Sequence, residues 1–366
     1  MRLSEIELRR VRLPLVVPFR TALETETHRE VLLVQVRGPE ADGWGECAAL
    51  TTPHYSPETL AGAHEALRDT LIPLIDPDHV SVEEVDRAMA PVTGHPMAKA
   101  ALESAIWDAE LRNAGRSLAD RLGATRTRVP AGVAVGMMDS IPELLDAVGA
   151  YLDLGYLRVK LKIQPGWDLA PVQAVRQQFG DVPLQVDANM AYSAADRGHL
   201  GGFDEFDLLM IEQPLARDDL EGHAKLAREI QTPICLDESI TSTEAAVTAI
   251  ELGACSVINI KPGRVGGLLE AVRLHDFCVN NGIPAWCGGM LESGIGRATN
   301  LALAALPGFT LVGDLSASSR YFNQDITPPF ELDSGHIAVP TGPGIGVEPM
   351  GDILEQMTIS TELIEL

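Results

Sequence analysis

The stretch VKLKI, residues 159–163, places two lysines, Lys160 and Lys162, one residue apart in a run that otherwise reads as a buried strand. Side chains alternate along a strand, so both ammonium groups point to the same face. The chain holds only five lysines, Lys99, Lys160, Lys162, Lys225 and Lys261, and arginine supplies most of its positive charge. Three of the five fall in strand-like runs. Unlike arginine, lysine has a pKa that burial can lower into the range of a base.

Working outward, short apolar runs recur from residue 129 onward, each followed by a helix-like segment. They are VPAGVAV at 129–135, LRVKLKI at 157–163, PLQVDAN at 183–189, LLMIEQP at 208–214 and PICLDES at 233–239. SVINIKP at 256–262 and GIPAWCG at 282–288 follow, with a weaker run, FTLVGD, at 309–314. The polar residues at five strand ends, Lys162, Asp187, Glu212, Asp237 and Lys261, stand 25, 25, 25 and 24 residues apart. A strand, a turn, a helix and a return loop fill that length. Repeated βα units with continuously apolar strands predict a parallel sheet covered by helices. Seven clear strands and a weaker eighth close into a (β/α) barrel, a modified TIM barrel, over residues 126–324. An open doubly wound sheet is the alternative, but it gathers its key residues at one crevice. Here polar ends recur strand after strand.

Residues 1–125 read as a compact α+β unit. LSEIELRRVRL, VLLVQV and GWGEC are strand-like. Ser56, Pro57 and Glu58 mark a helix start, with Ser56 as cap. A second helix lies within 97–113 and stops near Gly115. The C-terminal segment, about 325–366, is rich in proline and glycine and is expected to pack back on this unit or run along the barrel.

Composition narrows the function. The formal charge of -24 repels nucleic acid and anionic lipid. No apolar run approaches the roughly 20 residues a membrane span needs, and no signal-peptide core opens the chain. A cytoplasmic location is the default expectation. The five cysteines form neither a disulfide framework nor a zinc site.

Asp187, Glu212 and Asp237 end three consecutive strands. Close together they would repel, and a divalent cation resolves the repulsion. Three oxygen ligands suit Mg²⁺, with Mn²⁺ or another divalent cation as substitutes. The strands carrying Lys162 and Lys261 are four apart in a barrel of eight, so the two amines face each other across its mouth. Neighbouring cations are expected to lower their pKa and free a neutral amine. Lys160, deeper in its strand, is read as orienting Lys162. The chemistry this suits is removal of a proton from carbon next to a carboxylate, giving an enediolate. A non-catalytic metabolite-binding barrel leaves the lysine pair without use. A Schiff-base aldolase leaves the three carboxylates without use.

The ordered set VKLKI, VDAN, IEQP, LDES and NIKPGRVGG resembles the enolase superfamily, in its muconate-lactonising-like subgroup, over essentially the whole chain. LPLVVPFRT, GWGEC, PGW, QTPICLDESI, WCGGMLESGIGR and DITPPF are similar to the o-succinylbenzoate synthases that also act as N-succinylamino acid racemases. The resemblance implies Lys162 as base on one face and Lys261 as acid or base on the other. It implies Asp187, Glu212 and Asp237 as Mg²⁺ ligands, with Asn189 and Glu238 supporting them. It also implies a capping domain whose loops, Pro18 to Thr27 and Thr51 to Tyr55, set specificity. Phe19 and Tyr55 would form an apolar wall. Gly288, Gly289 and Met290 would let the substrate's tail approach the backbone, and Ser293 with the backbone after it would bind a distal carboxylate. The expected activity is metal-dependent syn-dehydration of 2-succinyl-6-hydroxy-2,4-cyclohexadiene-1-carboxylate in menaquinone synthesis, with racemisation of N-succinylamino acids beside it. A dedicated N-acylamino acid racemase is the alternative, and a dipeptide epimerase stands further off. The partner is a small-molecule carboxylate, and the family implies a homo-oligomer.

Overall fold

The structure is a computed structural model that describes all of residues 1–366. Its first strands, β1 (Glu5–Arg20), β2 (Thr25–Arg37) and β3 (Gly43–Cys47), form an antiparallel meander. The helix Pro96–Asn113 lies directly on β3, and two glycines permit that approach. A Cβ on Gly43 would stand 2.2 Å from the Ala105 carbonyl, and one on Gly45 would stand 2.0 Å from that of Ala101. Proline opens this helix, and Gly115, at φ +63, lies just past its end.

The first helix starts later than Ser56. It runs Leu60–Ala66, and Thr59 caps it by accepting from the Gly62 N–H. Glu58 caps a different helix. Its carboxylate accepts from the N–H groups of Met97 and Ala98 at 2.8 and 2.9 Å, satisfying two donors of the first turn. Pro18 to Thr27 is mostly strand rather than loop, because the β1–β2 hairpin pairs Phe19 with Glu26.

After β4 (Arg128–Pro130) comes the parallel sheet. Its strands are β5 (Gly132–Val135), β6 (Arg158–Lys162), β7 (Leu184–Asp187), β8 (Ile211–Glu212), β9 (Ile234–Leu236), β10 (Val257–Ile260) and β11 (Ala285–Cys287), in sequential order. All are buried on both faces, which is why they read as continuous apolar runs. The weak eighth run is not a regular strand, yet it closes the barrel. Phe309 bridges Ala285 and Gly313 bridges Ala131, both in parallel. The Gly132 N–H donates to the Gly313 carbonyl at 3.0 Å, and the Asp314 N–H to that of Cys287 at 3.1 Å. The open-sheet alternative is thereby excluded. The chain returns through β12 (Leu332–Asp333) and β13 (His336–Ala338), which pairs with β4, to β14 (Thr358–Glu365), which adds to β1.

One apolar core runs through both units, from Ile6 through Ala105 to Ile258. Two carboxylates of the N-terminal unit, half-buried Glu46 and buried Glu103, also cap barrel helices. Glu46 accepts from Ser293 N–H and Oγ and from the Gly296 N–H, at the start of the helix Gly294–Ala304. Glu103 accepts from the Leu269 N–H at the start of Leu268–Asn280, and from the Trp107 ring N–H. Burial pushes both glutamates up to about 7. A carboxyl whose pKa is raised on folding stabilises most below its unfolded value, and that contribution is lost as pH rises through the folded value. Thermal melting should therefore drop less between pH 5 and pH 8 in Glu46→Gln than in the natural chain. Equal drops in the two would contradict a raised Glu46.

Candidate active site

Five strand ends bring the expected groups together at the C-terminal rim of the barrel. Lys162 and Lys261 end or follow β6 and β10, four strands apart in the observed order. Both line one small cavity of about 40 Å³, which also holds Lys160, Phe19 and Gly289. A neighbouring cavity of about 60 Å³ adds Tyr55, Asn189 and Met290 to the same two lysines.

Each amine is already paired. Lys162 Nζ donates to Asp187 Oδ2 at 2.6 Å and to Asn189 Oδ1 at 2.8 Å. Asn189 holds a left-handed φ of +42, a conformation asparagine tolerates better than most residues, and its N–H returns to Asp187 Oδ1 at 3.0 Å. Its amide nitrogen donates to Glu238 Oε1 at 3.0 Å. Lys261 Nζ donates to Asp237 Oδ2 at 2.7 Å, lies 3.3 Å from Tyr55 Oη and 3.5 Å from Met290 Sδ. Lys160 Nζ bonds Glu212 at 2.8 Å, stands 3.3 Å from Asp187 and also pairs with Asp314.

The expected lowering of the lysine pKa values is not what the paired site does. Burial does push Lys160 and Lys261 down, but carboxylates outweigh it. Asp314, Glu212 and Asp187 hold Lys160 well above its ordinary value, and Asp237 with Tyr55 raises Lys261. Neighbouring cations are visible along the chain, whereas the carboxylates in direct contact come from other strands.

Asp187, Glu212 and Asp237 sit side by side, with Asp187 in register with Glu212. They do not form a ready-made ion cage; no three acidic, histidine or cysteine groups do. The lysine ammonium groups stand among them instead. The donor set still fits a hard divalent cation, being all oxygen. Burial, then Asp187, pushes Glu212 up to about 7. Burial, then Asp237 and Asp187, pushes Glu238 up to about 8, and its Oε2 is buried without a partner. Both groups sit where added positive charge is favourable.

Two residues escaped the sequence reading. Asp314, at the end of the eighth run, pairs with Arg158 at 2.8 Å and with Lys160. The strand-end rule points to it, had the rule been carried past Lys261. The other is Arg264, which is buried and pairs with Asp237 Oδ1. Asp314→Ala would leave buried Arg158 without a carboxylate partner, while Lys160 keeps Glu212 and Asp187. Breaking such a pair costs roughly 3–5 kcal/mol, measurable as a lower denaturant midpoint. A shift below about 1 kcal/mol, the size of an exposed pair's effect, would show the network to be marginal.

The expected substrate contacts divide. Phe19 lines both cavities, with Lys162 Nζ 5.9 Å from its ring centre. Gly289 lines both and Met290 one. Tyr55 is more than an apolar wall, because its hydroxyl donates to Asp237 Oδ1 at 2.8 Å. A Cβ on Gly288 would stand 2.6 Å from the Lys261 side chain, so the missing side chain there makes room for the lysine. Ser293 is wholly buried, and its donors are spent on Glu46, which leaves none for a distal carboxylate. The next N–H, of Gly294, donates to Asp325. No helix is long and apolar enough to cross a membrane.

Comparison with known proteins agrees with this geometry. Residues 143–353 match a family model described as enolase C-terminal domain-like. Residues 4–123 match that of the mandelate racemase / muconate lactonizing enzyme N-terminal domain. An N-succinylamino acid racemase from an Amycolatopsis species is 57% identical over 98% of each chain. An o-succinylbenzoate synthase from Geobacillus stearothermophilus is 47% identical over 93% of this chain and 92% of its own. A solved enolase-superfamily structure from Listeria innocua superposes with a TM-score of 0.95 at 41% identity, covering 100% of this chain and 99% of the other.

Proposed function

Since this chain belongs to the enolase superfamily, in its muconate-lactonising-like subgroup, and is an enzyme of that group's lyase and racemase kind, we propose that it racemises N-succinylamino acids by proton transfer between two lysines. The observation that carries this reading is the placement of two buried amines on strands four apart, lining the same cavities. Dehydration needs one base, whereas racemisation needs one on each face, and this site has both. The Amycolatopsis racemase also stands above the Geobacillus synthase in identity.

In this reading Lys162 or Lys261 takes the α-proton of one enantiomer. The electron pair passes into the carboxylate to give an enediolate, and the facing lysine returns a proton to the other side. Asp187, Glu212 and Asp237 would hold Mg²⁺, with Asn189 and Glu238 orienting them. The bound cation would neutralise the enediolate oxygens and the carboxylate that otherwise raises Lys261. Lys160, tied to three carboxylates, positions the trio rather than exchanging protons. The basic cavity suits a ligand bearing carboxylates.

The second reading is syn-dehydration to o-succinylbenzoate, favoured by the synthase relative and open to the same residues in one protein. One assay addresses both. In D₂O each enantiomer of an N-succinylamino acid should exchange its α-proton, at a kcat/KM comparable to or above that for the dehydration substrate. Exchange of a single enantiomer would overturn the two-base assignment. A kcat/KM confined to dehydration would restore the synthase reading, which the sequence alone favoured.

A further inference from the structure

Two openings of opposite character reach the site. The small front cavity sets Lys160, Lys162, Lys261 and Arg297 against only Glu292 and Asp314. The three lysines there are each bonded to a carboxylate of the trio. The lining itself still carries more cations than carboxylates, a balance that favours an entering anion over a free metal ion. The second opening is a cleft of about 800 Å³ between the N-terminal unit and the segments that follow β9 and β10. Tyr55 lines both this cleft and the front cavity system, so it is the wall between them.

Glu238 and Arg264 complete the cleft's inner wall. The cations around it are engaged. Arg264 holds Asp237, Arg217 donates to the Tyr55 carbonyl at 2.9 Å, Lys99 donates to that of Val92, and Arg273 pairs with Asp86 and Glu270. Glu238 is the buried carboxylate of the lining with an unpaired oxygen. It is 2% exposed, and Asn189 occupies Oε1 while Oε2 has no partner. A buried carboxylate oxygen left unpaired is costly, so native structures retain one where it serves a ligand or water. This one follows Asp237 directly in the chain.

We propose that the divalent cation enters and leaves through the 800 Å³ cleft, passed to the carboxylate trio by the unpartnered oxygen of Glu238, while the anionic substrate uses the front cavity. The route rests on the reading of Asp187, Glu212 and Asp237 as metal ligands. Mn²⁺ serves as the probe, with its binding and release on the full chain followed by rapid-mixing EPR and chelator capture. Ala90 is exposed, lines the cleft and lies outside the site, so Ala90→Trp narrows the passage. Entry and release should both slow, on the order of tenfold, with Kd unchanged because a barrier alters both rates alike. Glu238→Gln should slow entry in the same assay. Leu23→Trp, which narrows the front cavity system, should leave Mn²⁺ rates alone and raise KM for substrate. Wild-type exchange rates in folded Ala90→Trp and Glu238→Gln, or slowing in Leu23→Trp alone, would overturn the route. A natural chain that binds no Mn²⁺ would instead remove the metal reading, and the route with it.

Discussion

Lys162→Ala lowers racemisation of an N-succinylamino acid by roughly 10²–10⁴-fold, the range that a positioned acid or base supplies. The fold survives, because the lost amine does not leave Asp187 alone. Lys160 still stands 3.3 Å from Asp187, and the Asn189 N–H still donates to its other oxygen. The loss is chemical, and its signature is stereochemical. With Lys261 intact, one enantiomer continues to exchange its α-proton with D₂O while the other stops. Lys261→Ala produces the mirror pattern. Proton NMR of each enantiomer, with circular dichroism of both variants, reads this directly. Near-natural turnover in either variant, or loss of both exchanges with an unfolded spectrum, defeats the assignment of one base to each face.

The strand-end residues were legible because their spacing is a property of the barrel itself. A βα unit of constant length puts Lys162, Asp187, Glu212, Asp237 and Lys261 at one rim whatever their partners are. What stayed hidden depends on contacts between distant segments. Ser293 looks like a free donor at a helix start, but Glu46, 247 positions away, consumes it. Tyr55 reads as an aromatic wall until Asp237, 182 positions on, is seen to accept from its hydroxyl. Asp314 was missed for another reason. Its run closes the barrel through isolated bridges, so it carries only a weak strand pattern. The lysine pKa reading failed in the same way as Ser293. Like charges can be counted along the chain, whereas Lys160 pairs with Asp314 only because closure of the barrel brings the eighth run beside β5, two strands from Lys160.

Removing divalent cations by chelation brings turnover to background, and Mg²⁺ or Mn²⁺ restores it. The charge of the site explains why and adds a sharper expectation. Asp187, Glu212, Asp237 and Asp314 face Arg158, Lys160, Lys162, Lys261 and Arg264, while Glu238, pushed up to about 8, holds its proton near neutral pH. The resident groups therefore nearly cancel, four against five. A buried site this crowded tolerates little net charge, because an uncompensated ion there is costly. A divalent cation alone would add two positive charges, and a dicarboxylate ligand alone two negative ones. Together they cancel, so each should bind more tightly in the presence of the other. Couplings of this kind run about 1–3 kcal/mol, or 5–150-fold in affinity. Calorimetric titration of Mn²⁺ should show that tightening with an N-succinylamino acid and less of it with an N-acetyl analogue, which carries one carboxylate fewer. Turnover that survives exhaustive chelation, or a Mn²⁺ affinity indifferent to the dicarboxylate, would mean that the ammonium groups already bonded to the trio are its permanent counter-ions, leaving no place for a metal.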